Sequence, residues 1–135
     1  MRQIYQFLIP LDPKTKKNNQ KIIRNNKTNA LMIVQNERYK PYEKDAGWFL
    51  KVPAEPIDYP VNVKCVFYRA TDRRVDLTNL LEAIDDILVK YKVLADDNCK
   101  IIIGHDGSRV HIDRKRPRTE IVIEPIIGYN VGEEA

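Results

Sequence analysis

Two periodicities run along the chain, an alternation of two that suits strands and a repeat of three to four that suits helices. Residues 3–9, Gln-Ile-Tyr-Gln-Phe-Leu-Ile, alternate and are closed by Pro10 and Pro13, which predicts a first strand. From 14 to 29 periodicity fails. Asn18, Asn19, Asn25, Asn26 and Asn29 stand there among lysines, so a long basic loop or a ragged hairpin is expected. A short strand fits 30–34. Tyr39, Tyr42, Ala46 and Phe49 then recur at helical spacing within 36–50, where Pro41 and Gly47 make the expected helix irregular.

The clearest alternation lies in 59–70, with Val61, Val63, Cys65 and Phe67 on one face of a strand. After the charged turn 71–74, Leu77, Leu81, Ile84 and Leu88 form an apolar stripe that predicts a helix over 76–90. Ile101, Ile102 and Ile103 lead into Asp106-Gly107, a hairpin signal, then into a strand over 109–112; 120–125 reads as the last strand. Strands outnumber helices and short turns join several of them. The expected architecture is a single α+β domain over 1–135, a mixed sheet covered by helices, with 131–135 as a flexible tail.

A chain of 135 residues can bury a core without disulfide or metal staples. No segment approaches the roughly 20 apolar residues of a membrane span, and the N-terminus lacks a signal-peptide pattern, so a cytoplasmic location away from membranes is expected. Cys65 lies in an apolar run and Cys99 in a polar turn, neither a disulfide framework nor a zinc spacing.

The formal charge of +4 favours an anionic partner, and its distribution sharpens that reading. Lys14, Lys16, Lys17, Lys21, Arg24 and Lys27 crowd one stretch. Arg109, Arg114, Lys115, Arg116 and Arg118 crowd another, with the acidic residues concentrated between them. A cationic rim around carboxylates suits a nuclease, in which the rim holds DNA and the carboxylates hold divalent cations. Two solvated basic loops would give the same pattern.

At about 100° per residue, Asp76, Asn79, Ala83, Asp86 and Lys90 fall in one sector of the 76–90 helix, with Glu82 at its margin and Asp85 pointing elsewhere, as surface decoration. Ten residues at about 1.5 Å each separate Asp76 from Asp86 by roughly 15 Å, too far to share one ion. Asp96 and Asp97 are candidates for a partner. Seven residues from Lys90 span at most about 25 Å, which allows Asp97 to return beside Asp76. The ordinary roles of these residues are a helix N-cap, a solvated helix position and a turn.

The stretch Asp76-Leu-Thr-Asn-Leu-Leu-Glu-Ala-Ile-Asp-Asp-Ile-Leu, followed by Val93-Leu-Ala-Asp-Asp-Asn, resembles the signature of the RusA family of Holliday junction resolvases, an Asp-x-Asp-Asn helix start with a later Asp-Asp pair. Pro13-Lys14-Thr15-Lys16-Lys17-Asn18-Asn19 is similar to the family's early lysine-asparagine loop. Thr78 replaces the second acidic residue of the motif and Glu82 stands where a catalytic lysine is common. The turn from His105 to Arg109 is similar to that of relatives with the threonine form.

The resemblance implies a homodimeric, Mg²⁺-dependent endodeoxyribonuclease that cuts four-way DNA junctions in pairs, of a kind often carried by phages. By position, Asp76 and Asp97 would be the principal metal ligands, with Asp96 nearby and Asp86 on the same helix as further catalytic candidates. Glu82 or Asp86 restoring a ligand, or Thr78 acting through water, would compensate the departures. Candidate phosphate contacts are Lys14, Lys16, Lys17, Arg73, Arg74, Arg114, Lys115 and Arg116. His105 and His111 are expected to be structural or surface residues, and Tyr39, Tyr42 and Trp48 to pack in the core. A non-catalytic junction-binding module and a metal-dependent nuclease acting on RNA or flaps are the alternatives.

Overall fold

A computed structural model describes residues 2–16, 20–35 and 38–128. Strand β1 (Tyr5–Ile9) is followed by β2 (Gln20–Arg24) and β3 (Leu31–Gln35), then by helix α1 (Tyr39–Ala46) and one 3₁₀ turn at Gly47–Phe49. Strand β4 (Val61–Arg69), helix α2 (Leu77–Lys90) and strands β5 (Ile102–Gly104), β6 (Arg109–Ile112) and β7 (Arg118–Pro125) complete the order. The five-stranded main sheet runs β1-β7-β4-β5, with β6 also on β4, and β2 and β3 form a separate antiparallel ribbon. The α+β expectation with a mixed sheet holds: β1, β7 and β4 are antiparallel neighbours, while β5 and β6 run parallel to β4. Within the basic stretch Gln20–Arg24 forms the first strand of the ribbon, and the turn after it is closed by bonds from Asn25 N–H to Ala30 O and Asn29 N–H to Asn25 O. Lys17, Asn18, Asn19, Asn36 and the expected tail 131–135 lie outside the described residues.

Alternation in β4 has the expected consequence. Val61, Val63, Cys65 and Phe67 are buried and share one core with Phe7, Ile9, Ile121 and Ile123 of the neighbouring strands. Leu80, Leu81, Ala83, Ile84, Ile87 and Leu88 of α2 and Tyr39, Tyr42 and Ala46 of α1 join it. Burying a side chain such as Phe67 stabilises by about 1.5–3 kcal/mol, so this layer of helices on sheet carries most of the driving force.

Three expectations need correcting. Leu77 is exposed, because it stands in the first turn of α2 beyond the edge of the sheet-facing stripe; Leu80 and Ile87 take its place. Trp48 is 81% exposed and packs in no core, since the 3₁₀ turn after α1 carries it outward. The Asp106-Gly107 signal is not a hairpin. Val61 and Asn62 pair with Ile102 and Gly104, and Val66–Arg69 pair with Arg109–Ile112, so β5 and β6 succeed one another along the same edge of β4.

Residues 105–108 interrupt that edge, with Gly107 at φ +86 and Ser108 N–H bonded to His105 O at 3.1 Å. Asp-Gly supplies the positive φ a tight turn needs, but the chain leaves the turn in its original direction because β4 offers bonding groups on both sides. Side chains bridge the interruption. Asn62 Nδ2 donates to Asp106 O at 3.1 Å and its Oδ1 accepts from Asp106 N–H at 2.8 Å, while Ser108 Oγ accepts from Cys65 N–H at 3.0 Å.

Among the described residues no helix is long and apolar enough to cross a membrane. Both cysteines are free, Cys65 buried and Cys99 exposed.

Candidate active site

Asp76 is the N-cap of α2, with extended backbone at φ −82 and ψ 129. Its carbonyl receives the N–H of Asn79 and Leu80, but its carboxylate makes no capping bond and instead accepts from Asn79 Nδ2 at 3.4 Å. The carboxylate, Thr78 and Glu82 are all exposed. The sector containing Asp76 and Asp86 is less open than helical spacing suggests. Ala83 within it is buried, Lys90 Nζ reaches Glu43 Oε1 at 2.6 Å, and Asp86 Oδ2 accepts from Lys16 Nζ at 3.0 Å. Beyond its first turn this side of α2 is therefore a seam against α1 and the segment that follows β1.

Asp96 and Asp97 are exposed in the turn before β5. Asp96 Oδ1 accepts from Asp97 N–H at 2.8 Å and Oδ2 from Asn98 Nδ2 at 2.9 Å, and these bonds hold its carboxyl below the usual range. Leu94 bridges Ile57, just before β4, and Ile101 O accepts from Val61 N–H, so Asp97 sits by the start of β4. Asp97 also adds to the negative field on Asp85. Asp76 lies nine residues before Asp85, roughly 13 Å along the helix axis. Within one chain Asp76 and Asp97 thus belong to opposite ends of α2. Among the described residues no three acidic, His or Cys side chains of one chain converge to hold a metal ion.

The structure instead draws Asp85 and His105 together, correcting the surface role assigned to Asp85. Asp85 Oδ2 stands 3.0 Å from His105 Nε2, and His105 Nδ1 donates to Val63 O at 2.8 Å. Because a carbonyl only accepts, Nδ1 carries a proton. Nε2 then either donates to an ionised Asp85 or accepts from a protonated one. Burial lifts the Asp85 carboxyl above its ordinary range although His105 pulls it back, and the Asp85 partner lifts His105 above the usual imidazole value. The second oxygen, Oδ1, is buried with no hydrogen-bond partner among the described residues. A signal was present in the sequence: four residues apart, Asp85 lies only about 40° from Leu81 around the helix, on the flank of the apolar stripe.

Of the basic candidates, Lys14 pairs with Asp12 at 3.0 Å and Lys16 with Asp86, with its ammonium also 5.6 Å from the centre of the Tyr39 ring. Arg73, Arg74, Arg114, Lys115 and Arg116 are exposed. Arg118 is committed elsewhere, to Asp113 at 2.9 Å and Glu120 at 3.1 Å, over the Tyr68 ring. His111 is exposed and stacks on Tyr68 with ring centres 5.3 Å apart. Two cations missed in the sequence, Arg38 and Arg69, join Lys14, Arg73 and Arg74 around one cavity just before α2.

The family model for the RusA endodeoxyribonuclease matches residues 10–124. The chain belongs to the RusA endodeoxyribonuclease family. Every acidic residue considered above falls inside the RusA match, as do the cationic cavity and the interrupted edge of β4. The match also covers the β2–β3 ribbon, so in this RusA-family chain the basic segment is part of the domain and not an appendage. No curated protein matches the chain.

Proposed function

We infer that this RusA-family protein is a Mg²⁺-dependent endonuclease that resolves four-way DNA junctions by paired cuts, acting as a homodimer. The observation that carries the reading is the RusA match, which spans Asp76 and Asp97, two exposed carboxylates, the first of them next to a cavity lined by Arg73 and Arg74. Among the described residues of one chain Asp76 and Asp97 do not form a complete cation site, since they occupy opposite ends of α2 and no third ligand joins them. A shared site gathers Asp76 of one subunit with Asp97 of the partner subunit, and two-fold symmetry then provides two such sites for two strands. Asp76 and Asp97 of the partner subunit would hold a divalent cation there, and that ion would supply charge neutralisation at the scissile phosphate and activation of water.

The protein's own part is positioning. Lys14, Arg73 and Arg74 line the cavity just before Asp76, Lys16 stands beside Asp86, and Arg114, Lys115 and Arg116 follow β6; these sets suit phosphate contacts that orient DNA without reading sequence. Lys17 belongs to the same reading, as do Asp96 and Asp86 as carboxylates flanking the ligands. The test is a synthetic four-way junction incubated with and without Mg²⁺, using the wild type and Asp97→Asn. Paired nicks near the crossover from the wild type alone, with junction binding kept by the variant, are the expected result. Equal cutting by both removes Asp97 from the site.

A second reading has its own support. Thr78 and Glu82 stand where the family motif places a carboxylate and a lysine, and no metal-ligating trio forms among the described residues of one chain. Salt-sensitive junction binding without cleavage in Mg²⁺ would establish a non-catalytic binding module instead.

A further inference from the structure

We propose that the cavity between the end of β1, the end of β4 and the start of α2 is a seat for one internal phosphate of the DNA backbone, next to the scissile position. This rests on the nuclease reading and names how the same site grips its substrate. The cavity measures about 200 Å³ and is lined by Lys14, Arg38, Arg69, Arg73 and Arg74, five cations against the single carboxylate of Asp12. That carboxylate is already engaged on both oxygens, by Lys14 Nζ at 3.0 Å and by Ala70 N–H at 2.9 Å. Neither Arg73 nor Arg74 forms an ion pair among the described residues.

Size selects the ligand. Pockets that enclose drug-sized molecules run to roughly 300–1,000 Å³. This cavity falls below that range, which suits a phosphate group with the sugar and base left outside. The walls are held before any ligand arrives. An Arg69 guanidinium N–H donates to Arg73 O, Arg73 N–H donates to Thr71 Oγ1 at 3.3 Å, and Asp12 ties the loop at Ala70 to the segment after β1. Arg69, held in this way, loses little freedom on binding an anion, and arginine guanidinium groups match phosphate oxygens in pairs. Arg74 is two residues before Asp76, so a phosphate held here fixes the backbone close to that carboxylate.

The test has two arms. In the first, arginine Nε–Hε resonances of the full chain are followed by NMR as inorganic phosphate is added, without DNA or metal. Saturable shifts at Arg69 and Arg74 but not at Arg114 and Arg116 are expected; small, unsaturating shifts at all four overturn the proposal. In the second, binding of a four-way junction is measured without divalent cations for the wild type and Arg74→Gln. The substitution should weaken binding about tenfold, as loss of a charge-assisted contact does. A single neutral methylphosphonate linkage near the crossover should weaken the wild type and leave Arg74→Gln unchanged. Equal losses in both proteins overturn the seat. Phosphate binding at Arg69 and Arg74 with junction binding that is unaffected by Arg74→Gln would overturn the seat and leave the resolvase reading standing, whereas no junction binding at all would overturn both.

Discussion

Asp85 and His105, 20 residues apart in sequence, meet at 3.0 Å and lock α2 to the interrupted edge of the sheet. Both groups have folded-state pKa values above their ordinary ones, Asp85 through burial and His105 through its bond to Asp85. The folded protein therefore binds protons more tightly than the unfolded chain, and stability falls as pH rises. For His105 the contribution is complete below the ordinary value of 6.5 and is lost as pH climbs through the raised one. For Asp85 the same sign applies from 3.8 upward. The two titrate as a pair. Urea midpoints should decline above about pH 6.5 in the wild type and decline less in His105→Asn. In Asp85→Asn, NMR should find the His105 pKa lower than in the wild type; an unchanged value would break the assignment.

Asn62 substitutes for missing ladder bonds by serving both backbone groups of Asp106. Replacement by Ala should cost about 1–3 kcal/mol in urea unfolding, because those groups lose their partner in a half-buried setting. The cost should exceed that of Asn26→Ala in the exposed turn of the β2–β3 ribbon. Parity between the two would mean that water replaces the side chain without loss.

Gly47 closes α1 against the face of Tyr91. A Cβ at this position would meet the ring at 2.6 Å, and the ring is held by its hydroxyl donating to Glu43 O at 3.0 Å. Gly47→Ala should destabilise by about 1–3 kcal/mol through overpacking. Combining it with Tyr91→Leu should recover part of that loss, a coupling read from the double-mutant cycle. Strict additivity would show that the clash relaxes by another route.

If the metal site is shared between subunits, inactive variants should complement. Mixing Asp76→Asn with Asp97→Asn protein yields heterodimers in which one site carries both defects and the other none. Single-strand nicking of a junction in Mg²⁺ should return in the mixture and be absent from either variant alone. Persistent inactivity of mixtures shown to contain heterodimers would place both residues in the same subunit's site, or outside it.

Helical and strand elements were legible because each follows a local rule. The alternation of Val61, Val63, Cys65 and Phe67 needs only a sheet with one covered face, and the stripe of α2 needs only something apolar beneath it. Misreadings came where a partner distant in sequence decides. Asp106-Gly107 carries a turn signal that is true locally, yet β4 keeps the chain running forward on either side of it. Helical periodicity sets Asp85 outside the sector of Asp76 and Asp86 and so suggests a surface role, and nothing near it in sequence announces His105.

From the residues alone came the α+β class, the core face of β4, the helix bearing Asp76 and Asp86, and membership in a nuclease family, since periodicity and motif are properties of neighbouring positions. Only the tertiary structure decided that Asp86 pairs with Lys16, that Asp85 pairs with His105, that Arg38 and Arg69 join Arg74 around one cavity, and that Asp76 and Asp97 stand at opposite ends of α2. The reason is physical. Pairing and burial depend on which segments the fold brings within a few ångströms, and that proximity is set by β4 and α2 packing together over the whole domain.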